Sequence, residues 1–152
     1  MRTNHLNKRQ QEIFINNLKY PHNIIWMIGE ANGIRVSDIL NLHVWQIKKQ
    51  QITIKEIKTK KSKRIYIPTK AREIFLKYNP YSDNEKAFPI TRQAVHKAFK
   101  KASRKSGFKI NVSTHSMRKS YAWKLYNNNK DFSYIKNKLN HENLSDTLRY
   151  LI

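Results

Sequence analysis

Gln51-Ile52-Thr53-Ile54-Lys55-Glu56-Ile57-Lys58-Thr59-Lys60-Lys61-Ser62-Lys63-Arg64-Ile65-Tyr66-Ile67-Pro68 is where the period of this chain changes. Ile52-Thr53-Ile54 and Ile65-Tyr66-Ile67 each alternate, the repeat of a half-buried strand, and the polar run from Lys58 to Lys63 lies between them. Pro68 cannot donate to a ladder and ends the second run. The stretch predicts one β-hairpin with a basic tip, and the sequence on either side of it reads as helix.

Upstream, Gln10 to Tyr20 places Ile13, Phe14 and Leu18 at helical spacing before Pro21. Asn23 to Ala31 forms a second, nearly all-apolar helix that stops at Asn32-Gly33, a left-handed C-cap signal. Ser37 is placed to cap a short helix from Asp38 to Leu42, which holds Arg35 in a tight helix-to-helix turn. Downstream, Lys70 to Tyr78 reads as a helix, and Asn79 to Asn84 as a loop. Thr91 caps a long basic helix to about Ser106, with Val95, Phe99 and Ala102 on one side and Gly107 as its stop. Thr114 is placed to cap a helix from His115 to about Asn127, Asp131 another to Leu139, and Ser145 a last one that contains Tyr150. The expected class is α+β: mostly α with a small antiparallel β-sheet, in a single domain over residues 1–152.

A formal charge of +21, from 31 Lys and Arg against 10 Asp and Glu, makes a compact chain repel itself unless it has an anionic partner, nucleic acid before membrane. The longest apolar run, Ile24 to Ile28, is too short to cross a bilayer, and Met1-Arg2-Thr3-Asn4 does not lead into a secretory core, so an intracellular protein is expected. Without cysteine there is no disulfide framework, no thiolate nucleophile and no cysteine zinc site, and the six histidines lack metal-binding spacing.

The chemistry gathers in the last third. With Thr114 as cap, His115 and Arg118 share one face of a first helical turn, where free backbone N–H groups and the positive dipole end also point. His141 follows Asn140, a residue that tolerates the left-handed conformation, and so sits on a sharp turn after a helix. Tyr150 supplies a phenol near the end. Together they can hold a phosphodiester and attack it without a metal.

These residues carry a resemblance. His115-Ser116-Met117-Arg118, Leu139-Asn140-His141 and Tyr150 look like the H-x-L-R-H, L-G-H and terminal-tyrosine motifs of the tyrosine recombinases, the phage integrase family. Asn32-Gly33-Ile34-Arg35-Val36-Ser37-Asp38-Ile39-Leu40-Asn41-Leu42 is similar to its T-G-L-R-x-S-E-L-x-x-L segment, and Lys58-Thr59-Lys60-Lys61-Ser62 to its hairpin lysine motif. Gln93-Ala94-Val95 and the basic helix after it also suit the pattern, so the likeness runs from about Leu6 to Tyr150. It departs at Asn140, where glycine is usual, at Asp38, where glutamate is usual, and at Lys119, where histidine is common.

The resemblance implies site-specific DNA recombination by a catalytic domain alone, without the N-terminal domain that clamps DNA from the far side. It implies that Arg35 and Arg118 grip the scissile phosphate, that His115 and His141 hydrogen-bond it or shuttle the nucleophile's proton, and that Tyr150 forms a 3′-phosphotyrosyl link. A hairpin lysine would protonate the 5′ leaving oxygen. Motif wording favours Lys58 and counting back from Pro68 favours Lys60, both on one side if strand alternation holds; Lys61 and Lys63 read as a solvated tip. No ATP, cofactor or metal is implied. The implied partners are double-stranded DNA and further recombinase protomers in a synaptic complex, with no membrane, a monomeric isolated domain and a cytoplasmic, nucleoid-associated location. The competing readings are a non-catalytic DNA-binding protein of the same fold, a type IB topoisomerase-like enzyme and an RNA-binding protein.

Overall fold

The computed structural model describes residues 3–151, in the order α1 (Lys8–Asn16), α2 (His22–Asn32), α3 (Val36–Leu40), α4 (Val44–Ile47), β1 (Gln51–Lys55), β2 (Ser62–Tyr66), α5 (Thr69–Tyr78), α6 (Arg92–Lys105), α7 (Ser116–Asn127), α8 (Phe132–Leu139) and α9 (Leu144–Leu151). The strands pair antiparallel, with Gln51 opposite Tyr66 and Lys55 opposite Ser62. That is the expected helical fold with one small sheet.

Helix α2 is the hub because it has almost no polar side: Ile24, Ile25, Trp26 and Ile28 are all fully buried. It packs against α1, α3, α5, α6, α7 and β2. Phe14 of α1 and Phe99 of α6 close on the Trp26 ring at centroid distances of 4.8 and 5.5 Å, so the core of the first two-thirds is aromatic at its centre. The end of α2 turns at Gly33, left-handed at φ 66°, where an added Cβ would lie 2.4 Å from the Tyr121 ring. There Asn32 donates to Tyr66 O at 2.8 Å and accepts from Tyr66 N at 2.8 Å, which fixes the hairpin against the helix end. A second, smaller core of Tyr121, Ala122, Ile135 and Leu139 joins α7 to α8, with Leu125, Tyr150 and Leu151 against it.

Several helix starts differ from the sequence reading. Helix α1 begins at Lys8, because Asn7 and Gln10 form a reciprocal capping box, and it has ended before Leu18. Ser37 lies inside α3 rather than at its cap; Arg35 holds the N-cap position without a side-chain bond, and the buried Asp38 accepts the Ile57 N–H at 2.9 Å from the hairpin. Thr114 does not cap α7: Ser116 Oγ accepts the Ser113 N–H at 3.0 Å, and the chain enters the helix through His115. Ser145 lies within α9, and Asn143 Oδ1 accepts the Asp146 N–H at 3.2 Å instead. The short α4 went unforeseen. Thr91 and Asp131 cap as expected, accepting from Ala94 N and Tyr134 N.

Candidate active site

Arg118 is the centre of the site. It stands in the first turn of α7, is 1% exposed, and is among the largest fully buried side chains, which for a permanent cation demands partners on nearly every N–H. Nη1 donates to Gly33 O at 2.7 Å, Nη2 faces Leu139 O and His141 Nε2 at 3.2 Å each, and Nε donates to the Tyr150 hydroxyl oxygen at 3.2 Å. The turn after α2, the turn after α8 and helix α9 thus meet on one guanidinium. One Nη1 hydrogen is left for an outside acceptor.

These contacts fix the histidine's chemistry. A guanidinium only donates, so His141 Nε2 must be the acceptor; the ring is neutral, and Nδ1 carries the proton and donates to Thr147 Oγ1 at 2.9 Å. Burial first, and the Arg118 charge next, lower His141 to about 4. The imidazole rests edge-on to the Tyr150 ring at 4.9 Å. Asn140 makes this placement possible: it is left-handed at φ 57° and ψ 32°, so the chain reverses within one residue of the end of α8.

On the open side of Arg118 is a cavity of about 670 Å³, walled by Arg35, Arg92, His96, Lys97, Lys100, His115, the edge of Arg118 and neutral residues, with no carboxylate among the lining groups. Arg35 reaches it from the N-cap of α3. Its buried terminal nitrogen Nη1 has no hydrogen-bond partner and lies 3.8 Å from Glu56 Oε1. Burial and the Arg118 charge lower Arg35 from its ordinary value, while Glu56 opposes them. His115, also on this wall, is lowered by burial and by Arg118, Lys119 and further cations, so it too favours the neutral form. The cavity is a cationic cradle, as a phosphodiester would require.

The structure therefore brings Arg35, His115, Arg118, His141 and Tyr150 together. It does not bring the two favoured lysines to them. Lys58 and Lys60 are exposed in the loop between the strands, Lys60 at φ 62°, so strand alternation does not govern their sides, and neither ammonium has a hydrogen-bond partner among the described residues. Lys63, read from sequence as part of a solvated tip, is half-buried within β2 and donates to Lys138 O at 2.5 Å.

Two participants escaped the sequence reading. Glu56 is fully buried beside Arg35 and accepts from Thr59 Oγ1 at 2.7 Å and Asn140 Nδ2 at 3.1 Å; its signal was a lone acid in a lysine-rich run. Thr147 is fully buried and orients His141, and nothing in its neighbourhood marks it.

A model of the phage integrase family matches residues 2–151. The probable integrase/recombinase YoeC of Bacillus subtilis (strain 168) is 28% identical over 155 residues, taking in 96% of this chain and 80% of that protein. The tyrosine recombinase XerC of Halalkalibacterium halodurans is 35% identical over 91 residues, 60% of this chain and 27% of that protein. The fold superposes on the XerA recombinase with a TM-score of 0.78 at 17% identity, over 96% of this chain and 59% of that one. On the catalytic domain of bacteriophage HP1 integrase the TM-score is 0.73 at 20% identity, over 99% of this chain and 88% of that one. The chain thus spans less than two-thirds of XerC and of XerA and most of the HP1 catalytic domain. With five residues of the family's motifs gathered at Arg118 and the cavity beside it, and a family match along almost the whole length, the chain belongs to the phage integrase family, the tyrosine recombinases.

Proposed function

We propose that this chain cuts and rejoins double-stranded DNA through Tyr150, as the strand-transfer unit of a site-specific recombinase. The observation that carries the reading is the 3.2 Å hydrogen bond from Arg118 Nε to the Tyr150 hydroxyl, on a guanidinium that also holds His141. That geometry supports a reading in which the phenol and a cation able to hold phosphate are aligned before DNA arrives. Because that donor occupies a lone pair of the phenol oxygen, the O–H proton is directed away from Arg118, toward an acceptor.

The scissile phosphate enters the cradle with its non-bridging oxygens on Arg35 and on the remaining Arg118 N–H. The Tyr150 oxygen attacks phosphorus and its proton passes to neutral His115, because both ring nitrogens of His141 are already engaged, by Arg118 and by Thr147. The P–O5′ bond breaks, and the 5′ oxygen takes a proton from Lys58 or Lys60, whose exposed loop is free to close on the DNA. The step conserves one phosphodiester bond as a 3′-phosphotyrosyl link, so reversal with another strand needs no outside energy. Tyr150 reaches Arg118 of its own chain, which supports cleavage within one subunit. Exchange between duplexes then uses further protomers assembled on DNA, while the isolated chain is monomeric and works in the nucleoid.

The test is incubation with nicked duplex oligonucleotides whose cleaved fragment diffuses away. A denaturation-resistant protein–DNA adduct is expected with the wild type and none with Tyr150→Phe; an equal yield of adduct from both would remove Tyr150 as the nucleophile.

A further inference from the structure

The turn between α8 and α9 carries His141, and the hairpin holds that turn from two sides. From the end of β1, the Glu56 carboxylate accepts Asn140 Nδ2 at 3.1 Å. From β2, Lys63 Nζ donates to Lys138 O at 2.5 Å. Between these two contacts Arg118 Nη2 faces Leu139 O, and the His141 N–H returns to Lys136 O at 3.1 Å. Residues 138, 139 and 140 are therefore each tied to a different part of the molecule.

Apolar packing alone gives this turn little purchase. Helices α8 and α9 have eight residues each, and the core beneath them consists of four buried side chains. The bond it must preserve, Arg118 Nη2 to His141 Nε2 at 3.2 Å, is already near the limit of a good hydrogen bond, so a shift of about 1 Å breaks it. Both hairpin groups also occupy costly positions. Glu56 is fully buried with Oε2 unpartnered. Lys63 faces Arg118 and the Tyr121 ring from α7, Lys138 from α8, Arg35 from the start of α3 and Glu56 from its own hairpin; burial and the cations lower it to about 7, against Glu56. A surface hairpin gains no stability from driving a carboxylate and an ammonium inward unless they hold something.

We propose that Glu56 and Lys63 are positioning residues that clamp the 138–140 turn between them, and so keep His141 seated on Arg118 as its hydrogen-bond acceptor, which fixes the guanidinium that holds Tyr150. This deepens the reading of Tyr150 chemistry and rests on it. It also gives the hairpin two tasks: its loop carries the candidate general acids, while its flanks hold His141 in register on Arg118.

The clamp has a readout that needs no DNA. In the free protein, Lys63→Met and Asn140→Gly should each raise amide exchange at residues 139–141 by on the order of tenfold, with the amides of α2 and α6 unchanged, and should move the His141 ring resonances toward a mixture of tautomers. Asn140→Gly is the sharper variant, since glycine keeps the left-handed turn and removes only the bond to Glu56. Lys63→Arg, which can still donate to Lys138 O, should restore most of the protection. On nicked duplexes, Lys63→Met and Glu56→Gln should slow single-turnover cleavage at saturating DNA by about tenfold while leaving half-saturation within about twofold. Unchanged exchange and tautomer in both Lys63→Met and Asn140→Gly would overturn the clamp, and would do so even if cleavage fell, because Lys63 would then act on DNA directly. Loosened exchange in a protein whose wild type forms no adduct would uphold the clamp and defeat the reading of Tyr150.

Discussion

The imidazole of His141 is kept neutral by its surroundings, and that has a measurable consequence. Its folded value of about 4 lies below the ordinary 6.5, so between these pH values the unfolded chain binds more protons than the folded one. Stability from this group is therefore fully present above about pH 6.5 and is lost progressively as pH falls to about 4. His5, His22 and His115 are lowered in the same direction, so the comparison must isolate one ring. Urea midpoints of wild type and His141→Gln should converge as pH drops through that window, and parallel curves would mean that His141 is not held neutral. At this scale sequence was a good guide to which residues would meet: Arg35, His115, Arg118, His141 and Tyr150 were all named through the family resemblance, and the fold brings them together. It was a poor guide to partners. The Thr147 hydroxyl beneath His141, and Glu56 beside Arg35, act through contacts between residues that chain separation does not reveal.

At the scale of elements, the site is built from turns, and the turn after α2 bears most on it. Gly33 is left-handed, lies against the Tyr121 ring, and offers its carbonyl to Arg118 Nη1 at 2.7 Å. Gly33→Ala should therefore cost about 2 kcal/mol or more in urea unfolding, through the positive φ and the clash with Tyr121. It should also slow adduct formation as Arg118 loses a fixed partner; a stability within about 0.5 kcal/mol of wild type would show that the turn relaxes without cost. The Asn32-Gly33 and Asn140 turns were readable because left-handed caps have a residue signature. The starts of α3, α7 and α9 were not: each offered several capable capping side chains within a few residues, and tertiary contacts, not local preference, chose among them. Lys63 was misread for a related reason. Inside a run of lysines, composition says tip, and only the Lys138 carbonyl at the end of α8 draws one of them inward.

Across the whole molecule, charge is sorted. The cradle wall is cationic without a carboxylate, while Glu56 and Asp38 are buried behind it and Lys48–Asp83 pairs elsewhere. Binding to a generic duplex should therefore be governed by counterion release. If Arg35, Arg92, Lys97, Lys100 and Arg118 each neutralise a phosphate, log K should fall against log salt with a slope of about −4 to −5. A slope shallower than about −2 would place the DNA on another face. No described helix is long and apolar enough to cross a membrane. Sequence by itself determined the helical class with one hairpin, the family and the candidate site residues, because periodicity, capping chemistry and motif spacing are local properties written along the chain. Only the tertiary structure decided that Arg118 would be buried at the meeting of two turns and helix α9, that His141 would be a neutral acceptor on it, and that Lys63 would face inward while Lys58 and Lys60 stay in solvent. Those outcomes depend on desolvation and on contacts between residues as many as 85 positions apart, which no local pattern encodes.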